Sequence, residues 1–211
     1  MITPPLAPRL PTQLDDWNEP IEAELELDGL LVRDANFTDA RRISIDGSKL
    51  VGVVMAGAVL DKFECSDTEL TKLEAAGVQA YKANFLRVTM ADCRLTGAEL
   101  AEATFEDCVF KNVKFDEAGF RFAHFTRVRF ENCMLRAADF SNAQLKQVVF
   151  TGCDLEMTSF MSANCKAVDV TGEDLAQVKG ILGLKGATVS TEQLILLAPL
   201  LATELGFVIS E

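Results

Sequence analysis

Six cysteines, a single histidine and many carboxylates are the residues with reactive side chains here. Thiolates bind metals or attack carbon, imidazoles move protons, and paired carboxylates supply acid and base. Cys65, Cys93, Cys108, Cys133, Cys153 and Cys165 have no C-x-x-C spacing, so no zinc site is expected. They read as core residues kept reduced in a cytoplasmic protein. His124 has no acid or nucleophile at a useful spacing and reads as a plain surface residue. No Gly-rich phosphate loop, G-x-S-x-G or H-E-x-x-H occurs. Glu99, Asp139, Asp154 and Asp174 read as a solvated mantle. The expectation is no catalytic residue, no metal and no cofactor.

The order behind these residues is a period of five. From Ala83 to Phe160 a large apolar residue returns at every fifth position, for example Phe105, Phe110, Phe115, Phe120, Phe125 and Phe130. Two places before each stands a small residue, such as Ala103, Cys108, Val113, Ala118, Ala123 and Val128, with Thr158 the polar exception. From Ile45 to Leu175 all 27 such centres are apolar, counting Ala and Cys, which excludes accidental spacing. On an α-helix each step of five turns about 140 degrees and smears the large residues around every side. In a straight strand an odd step alternates faces. Both conflicts vanish if the chain runs extended for three residues, turns, and starts again. The centre and the residue two before it then point inward, the residue between them points out, and two residues make the corner. Thr96-Gly97, Glu106-Asp107, Lys111-Asn112, Glu131-Asn132, Ser141-Asn142 and Thr151-Gly152 suit such corners.

Units such as Ala138-Asp139-Phe140-Ser141-Asn142, Ala98-Glu99-Leu100-Ala101-Glu102 and Cys153-Asp154-Leu155-Glu156-Met157 resemble the A(D/N)Lxx unit of the pentapeptide-repeat family. The resemblance spans roughly residues 25 to 189. It implies an all-β solenoid, a right-handed quadrilateral parallel β-helix with four units per coil and residues twenty apart stacked. Phe110, Phe130 and Phe150 would form one ladder, Phe120, Phe140 and Phe160 a second, and Phe85, Phe105 and Phe125 a third.

Three segments are expected. Residues 1–24 carry five prolines and read as an extended, partly ordered acidic arm without a signal peptide, with Trp17 anchoring it on the first coil. Residues 25–189 form the β-helix. Leu25, Leu27, Leu30, Val32, Ala35 and Phe37 keep the period in another phase, so an irregular corner is expected near Thr38 to Arg42. Within Leu50 to Leu60, too short to cross a membrane, Val51, Val54, Ala56 and Val59 face out. Val51, Val54 and Val59 make a candidate surface patch, covered by the arm or by a partner. Residues 190–211 read as a capping helix and a terminal strand at Phe207 to Ile209. Ser190 and Gln193 form a capping-box pair, Gly206 a stop, and Pro199 should bend the helix or end it early. Leu194, Leu197, Leu201 and Leu205 follow at helical spacing as the candidate cap and dimer face.

The formal charge of −12 argues against direct nucleic-acid binding. From Asp15 to Asp28 there are seven acids and no base. A rigid rod suits protein–protein interaction, and a cleft for catalysis is not expected. The chain is similar to bacterial pentapeptide proteins with Pro-rich starts. It is more distantly similar to members that look like DNA, bind DNA gyrase and protect it from quinolones, with C-terminal segments that dimerise. That likeness implies DNA gyrase as the specific partner and a homodimer through the C-terminal cap. The alternative is a structural scaffold with unrelated partners. One continuous acidic face would favour mimicry, and alternating patches a scaffold.

Overall fold

The computed structural model of the protein describes residues 2–17, 24–38 and 41–207. The strands are β1 (Asp15–Asp16), β2 (Glu24–Asp28), β3 (Leu30–Arg33), β4 (Arg42–Asp46), β5 (Lys49–Val51), β6 (Glu64–Thr71), β7 (Asn84–Ala91), β8 (Thr104–Lys111), β9 (His124–Glu131), β10 (Gln144–Thr151) and β11 (Asn164–Lys166). Every strand pairing among the described residues is parallel. Among the described residues the chain winds a solenoid of about seven turns with a single α-helix at its C-terminal end.

The period of five dictates this shape through its corners. The second corner residue adopts left-handed φ, as at Asp107 (56°), Asn112 (53°), Asn132 (51°) and Asn142 (60°). Asn, Asp and Gly reach that region at least cost, which is why they recur there. β6 to β10 each cover two faces and the corner between them. The other two faces are held by single bridges such as Glu74↔Arg94↔Lys114 and Gln79↔Glu99↔Gly119.

Twenty residues make one coil, so like stacks on like. Phe85, Phe105 and Phe125 lie face to face with ring centroids 4.8 and 4.7 Å apart. Phe110, Phe130 and Phe150 repeat at 5.0 and 4.9 Å, and Phe120, Phe140 and Phe160 at 4.8 and 5.4 Å. All three expected ladders are present. The small inward position does more than save space. Its hydroxyl or thiol donates to carbonyls left facing the interior: Thr158 to Leu135, Ser48 to Leu27 and Asp46, and Cys133 to Phe110.

The first coil is shorter. Leu25 pairs with Ile43 and Val32 with Leu50, eighteen residues apart, whereas Cys65 pairs with Phe85, twenty apart. Two residues are missing between Phe37 and Ile43, where the irregular corner was expected. Residues 39 and 40 of it lie outside the described residues. Trp17 stands edge-on to Phe37 at 5.5 Å and its amide donates to Leu31, so it does anchor the arm on the first coil.

At the other end the winding gives way to a 3-10 turn, Ile181–Leu184, and then to α1 (Thr191–Glu204). Ser190 and Gln193 form the expected reciprocal capping box. Leu205, Gly206 and Phe207 close the helix: the Phe207 amide donates to Ala202 and the Gly206 amide to Thr203. Pro199 does not end the helix early. It removes the donor for the Ile195 carbonyl, on a side open to water, since Ile195 is 69% exposed. Of the expected terminal strand, Phe207 forms none, and residues 208 and 209 lie outside the described residues.

Two substitutions test this packing. A Cβ on Gly183 would sit 1.8 Å from the Phe160 carbonyl oxygen. Gly183→Ala should therefore destabilise by roughly 1–3 kcal/mol or more and lower Tm by several degrees. Phe130→Ala opens a cavity between two stacked rings and should cost about 3–5 kcal/mol. Thermal denaturation checks both, and an unchanged Tm in either would contradict the packing described.

Candidate functional surfaces

Buried apolar side chains fill the interior of the described coils. The core void beside Met55, Phe63 and Phe85 measures about 20 Å³, room for a water at most. No group of described His, Cys, Asp or Glu residues is placed to hold a metal ion. Burial pushes the Cys93 thiol up to about 11 and Cys108 to about 12, so both are protonated at neutral pH. Contact with Cys153 and burial push Cys133 up as well. His124 stands exposed between Thr104 and Gln144 of the neighbouring strands. No described helix is long and apolar enough to cross a membrane.

Outward charges follow the twenty-residue lattice and cancel along it. Lys49 pairs with Glu69 at 2.9 Å, Arg94 with Glu74 at 3.7 Å and Lys82 with Glu102 at 3.5 Å. Arg136 joins Glu156, twenty residues on, and also Asp154, two residues short of that register. These pairs are solvent-exposed and each contributes about 0–1 kcal/mol at most.

One corner differs. Asp67, Arg87, Asp107 and Arg127 stand at its left-handed position in four successive coils. Arg87 grips Asp67 through two nitrogens at 2.6 and 2.5 Å, and Arg127 grips Asp107 at 2.6 and 2.7 Å. The Asp107 side chain is only 3% exposed. The N-terminal arm lies here: the Leu6 amide donates to Asp107 and the Arg9 amide to Asp67. The Arg87 hydrogen bond holds Asp67 below the usual carboxylate range. Burial alone would raise Asp107, but hydrogen bonds from Arg127 and Leu6 win and lower it.

Val51, Val54 and Val59 do not lie under the described arm contacts. A run along this sequence wraps around the rod, so the three valines point in different directions. Val51 sits between Arg33 and Thr71, Val54 between Asn36 and Glu74, and Val59 beside Gln79. Only Val59 is well exposed, at 53%.

The C-terminal cap contains the polar residues that the repeat pattern left unexplained. Glu173 takes an inward place in the last winding. Its carboxylate accepts the Gly152 and Cys153 amides, both at 2.7 Å; in the preceding coils a backbone carbonyl takes the first, as Thr151 does for Asn132, and a cysteine sulfur can take the second, as Cys93 does for Leu73. Gln193 donates to the Val170 and Glu173 carbonyls at 2.7 and 2.8 Å. One glutamine thus starts the helix and closes the last coil. Of the helix leucines, Leu197 is buried and Leu201 half-buried, while Leu194 and Leu205 are exposed at 52% and 59%. Ile195, Leu196 and Phe207 are more exposed still. A shallow groove of about 520 Å³ runs between the 3-10 turn and α1, lined by Leu182, Leu184, Leu194 and Leu201.

Residues 103–179 match a family model described as a pentapeptide repeat region. No curated protein matches the chain. A solved structure of trypsin-treated QnrB1, described as a plasmid-mediated fluoroquinolone resistance protein, is 16% identical. The match covers 89% of this chain and 98% of that one, with a TM-score of 0.40. A pentapeptide repeat protein from the Arabidopsis thaliana thylakoid lumen is 18% identical over 62% of this chain and 88% of its own, with a TM-score of 0.37. HetL, a pentapeptide repeat protein involved in heterocyst differentiation regulation in the cyanobacterium Nostoc, is 15% identical over 69% and 89%, with a TM-score of 0.24.

The shifted carboxyls give opposite pH signs. Asp67 and Asp107 have lowered native values, so their contribution is complete above the unfolded value of about 3.8 and is lost as pH falls through the native one. Glu173 is raised by burial, against the two amides that lower it, so its charged form weighs against the fold. Its effect is a gain in stability as pH falls through its native value, which lies above the ordinary glutamate value of about 4.5. Melting curves from pH 7 to pH 2 should show Asp67→Asn removing part of the acid-limb loss below about pH 4. An acid limb identical to that of the unsubstituted protein would contradict the coupling.

Proposed function

We propose, from the match of residues 103–179 to a pentapeptide repeat model, that this chain is a non-enzymatic module that works by holding another protein. The supporting observation is the outward lattice. A core packed with stacked rings fixes each outward side chain at about 4.8 Å spacing along the rod, so a partner meets a surface that needs no ordering.

Of the two partner classes, the paired charges favour a scaffold over a DNA mimic. Mimicry calls for a continuous acidic face, and Lys49–Glu69, Arg94–Glu74 and Arg136–Asp154 interrupt it. DNA gyrase remains the narrower reading, supported by the acid at one end. Glu26, Asp28, Asp46 and Glu64 are all exposed on one face of the first coils. Supercoiling by gyrase, with and without ciprofloxacin, separates the two readings. Inhibition or quinolone protection at micromolar protein supports gyrase. No effect removes it and leaves the scaffold, to be tested by pull-down from a bacterial lysate.

The C-terminal helix carries a homodimer reading. Ile195 and Leu196, 69% and 77% exposed, face away from the coil that seats Leu197. A second copy offers the same apolar surface, as a two-fold interface requires. Leu196→Glu should give a monomer in analytical ultracentrifugation while leaving Tm nearly unchanged. An unsubstituted protein that is monomeric at about 100 μM would remove this reading.

A further inference from the structure

The N-terminal arm and its corner share a register. Thr3, Pro4, Ala7 and Leu10 each precede a proline, and Pro4, Pro5, Pro8 and Pro11 have fixed φ. The arm is thus held extended, near polyproline II, with three residues per turn and about 9.3 Å per turn. From Ile2 to Pro8 the arm follows the same period of three: Ile2, Pro5 and Pro8 are half-buried and the residues between them exposed; Leu10 is the next half-buried residue. Two coils at about 4.8 Å each advance about 9.6 Å. One turn of the arm therefore matches two coils. The two amide contacts obey this match: Leu6 and Arg9 are three apart, and their acceptors Asp107 and Asp67 are two coils apart. Arg127 and Arg87 stand beside them and hold both carboxylates in place. Two residues past Arg9 and one coil past Asp67, Pro11 lies over Gly47, where a Cβ would meet its ring at 3.3 Å.

We propose that this corner is a binding site for an extended, proline-rich peptide, and that residues 2–11 are its resident, displaceable occupant. The chemistry that recognises the ligand is a pair of backbone amides three residues apart in a polyproline II strand, set against carboxylates on alternate coils. Pro8 between them, and Pro4, Pro5 and Pro11 on either side, remove donors that would be left unmatched and lower the entropy lost on docking. The site lies on the rod away from α1 and stands independently of the partner readings above.

The test uses the full chain and a fluorescein-labelled peptide with the sequence of residues 2–14. In the variant Pro5→Gly/Pro8→Gly the resident arm is loosened, and the added peptide should bind about 4- to 30-fold more tightly than to the unsubstituted protein. A peptide N-methylated at the amides matching Leu6 and Arg9 lacks both donors and should lose that binding, with the protein untouched. Amide exchange at Leu6 and Arg9 should run far ahead of exchange in β8 and β9. No binding to the loosened variant, equal binding of the N-methylated peptide, or arm amides that exchange only with the core would each overturn the proposal.

Discussion

Hydrogen bonding between coils runs along the rod axis, and the rest of the molecule serves it. Each coil lends its amides and carbonyls to the next, as in Phe120 to Asp139 and Phe140 to Ser159. That requires successive coils to keep the same interior width, which a large and a small inward residue on each side provide. Such a ladder has no natural end, so both ends must be closed with groups that imitate a coil. At the start, Trp17 lies across Phe37 and β1 pairs with β3. At the finish, the Glu173 carboxylate takes two amides that a further coil would have taken, and the Gln193 amide donates in place of an absent coil.

The outer surface inherits the same translation. A charge at one position finds its partner one coil away, so a chain with a formal charge of −12 still shows alternating sign over much of the rod. The corner of Asp67, Arg87, Asp107 and Arg127 takes this alternation below the surface. Two bidentate pairs hold arginines in left-handed conformations that cost about 1–2 kcal/mol each. The arm then uses the acid of every second coil. Core spacing and arm seating are one regularity expressed at two radii.

The interior was legible because it repeats. A period of five with a large and a small residue fixes the corners, the ladders of Phe105 and Phe130 and the place of Thr158. The capping box at Ser190 was legible because it is local. What could not be read was set by contacts distant in sequence. Nothing in residues 2–11 names Asp67 or Asp107, because a backbone amide leaves no trace in the sequence. Val51, Val54 and Val59 looked like a patch because neighbours in sequence look like neighbours in space, which fails when the chain turns a right angle every five residues. Glu173 puts an acid where the pattern has a small apolar residue, and it satisfies the amides where the repeat stops. The signal available was its position, an acid at an inward place just before the winding changes.

The two residues missing from the first coil show how this fold answers changes in length. A missing pair is absorbed at one corner, and Leu25 and Leu27 still lie over Ile43 and Ile45. A gain or loss of one whole pentad would leave every centre pointing inward, so the core would scarcely register it. The exterior beyond that point would swing by a quarter turn and carry its charges to another side. A gain of twenty residues would restore every side and only lengthen the column. Drift in length is therefore nearly silent for folding and loud for recognition, and inherited duplications of whole coils are the changes that spare both.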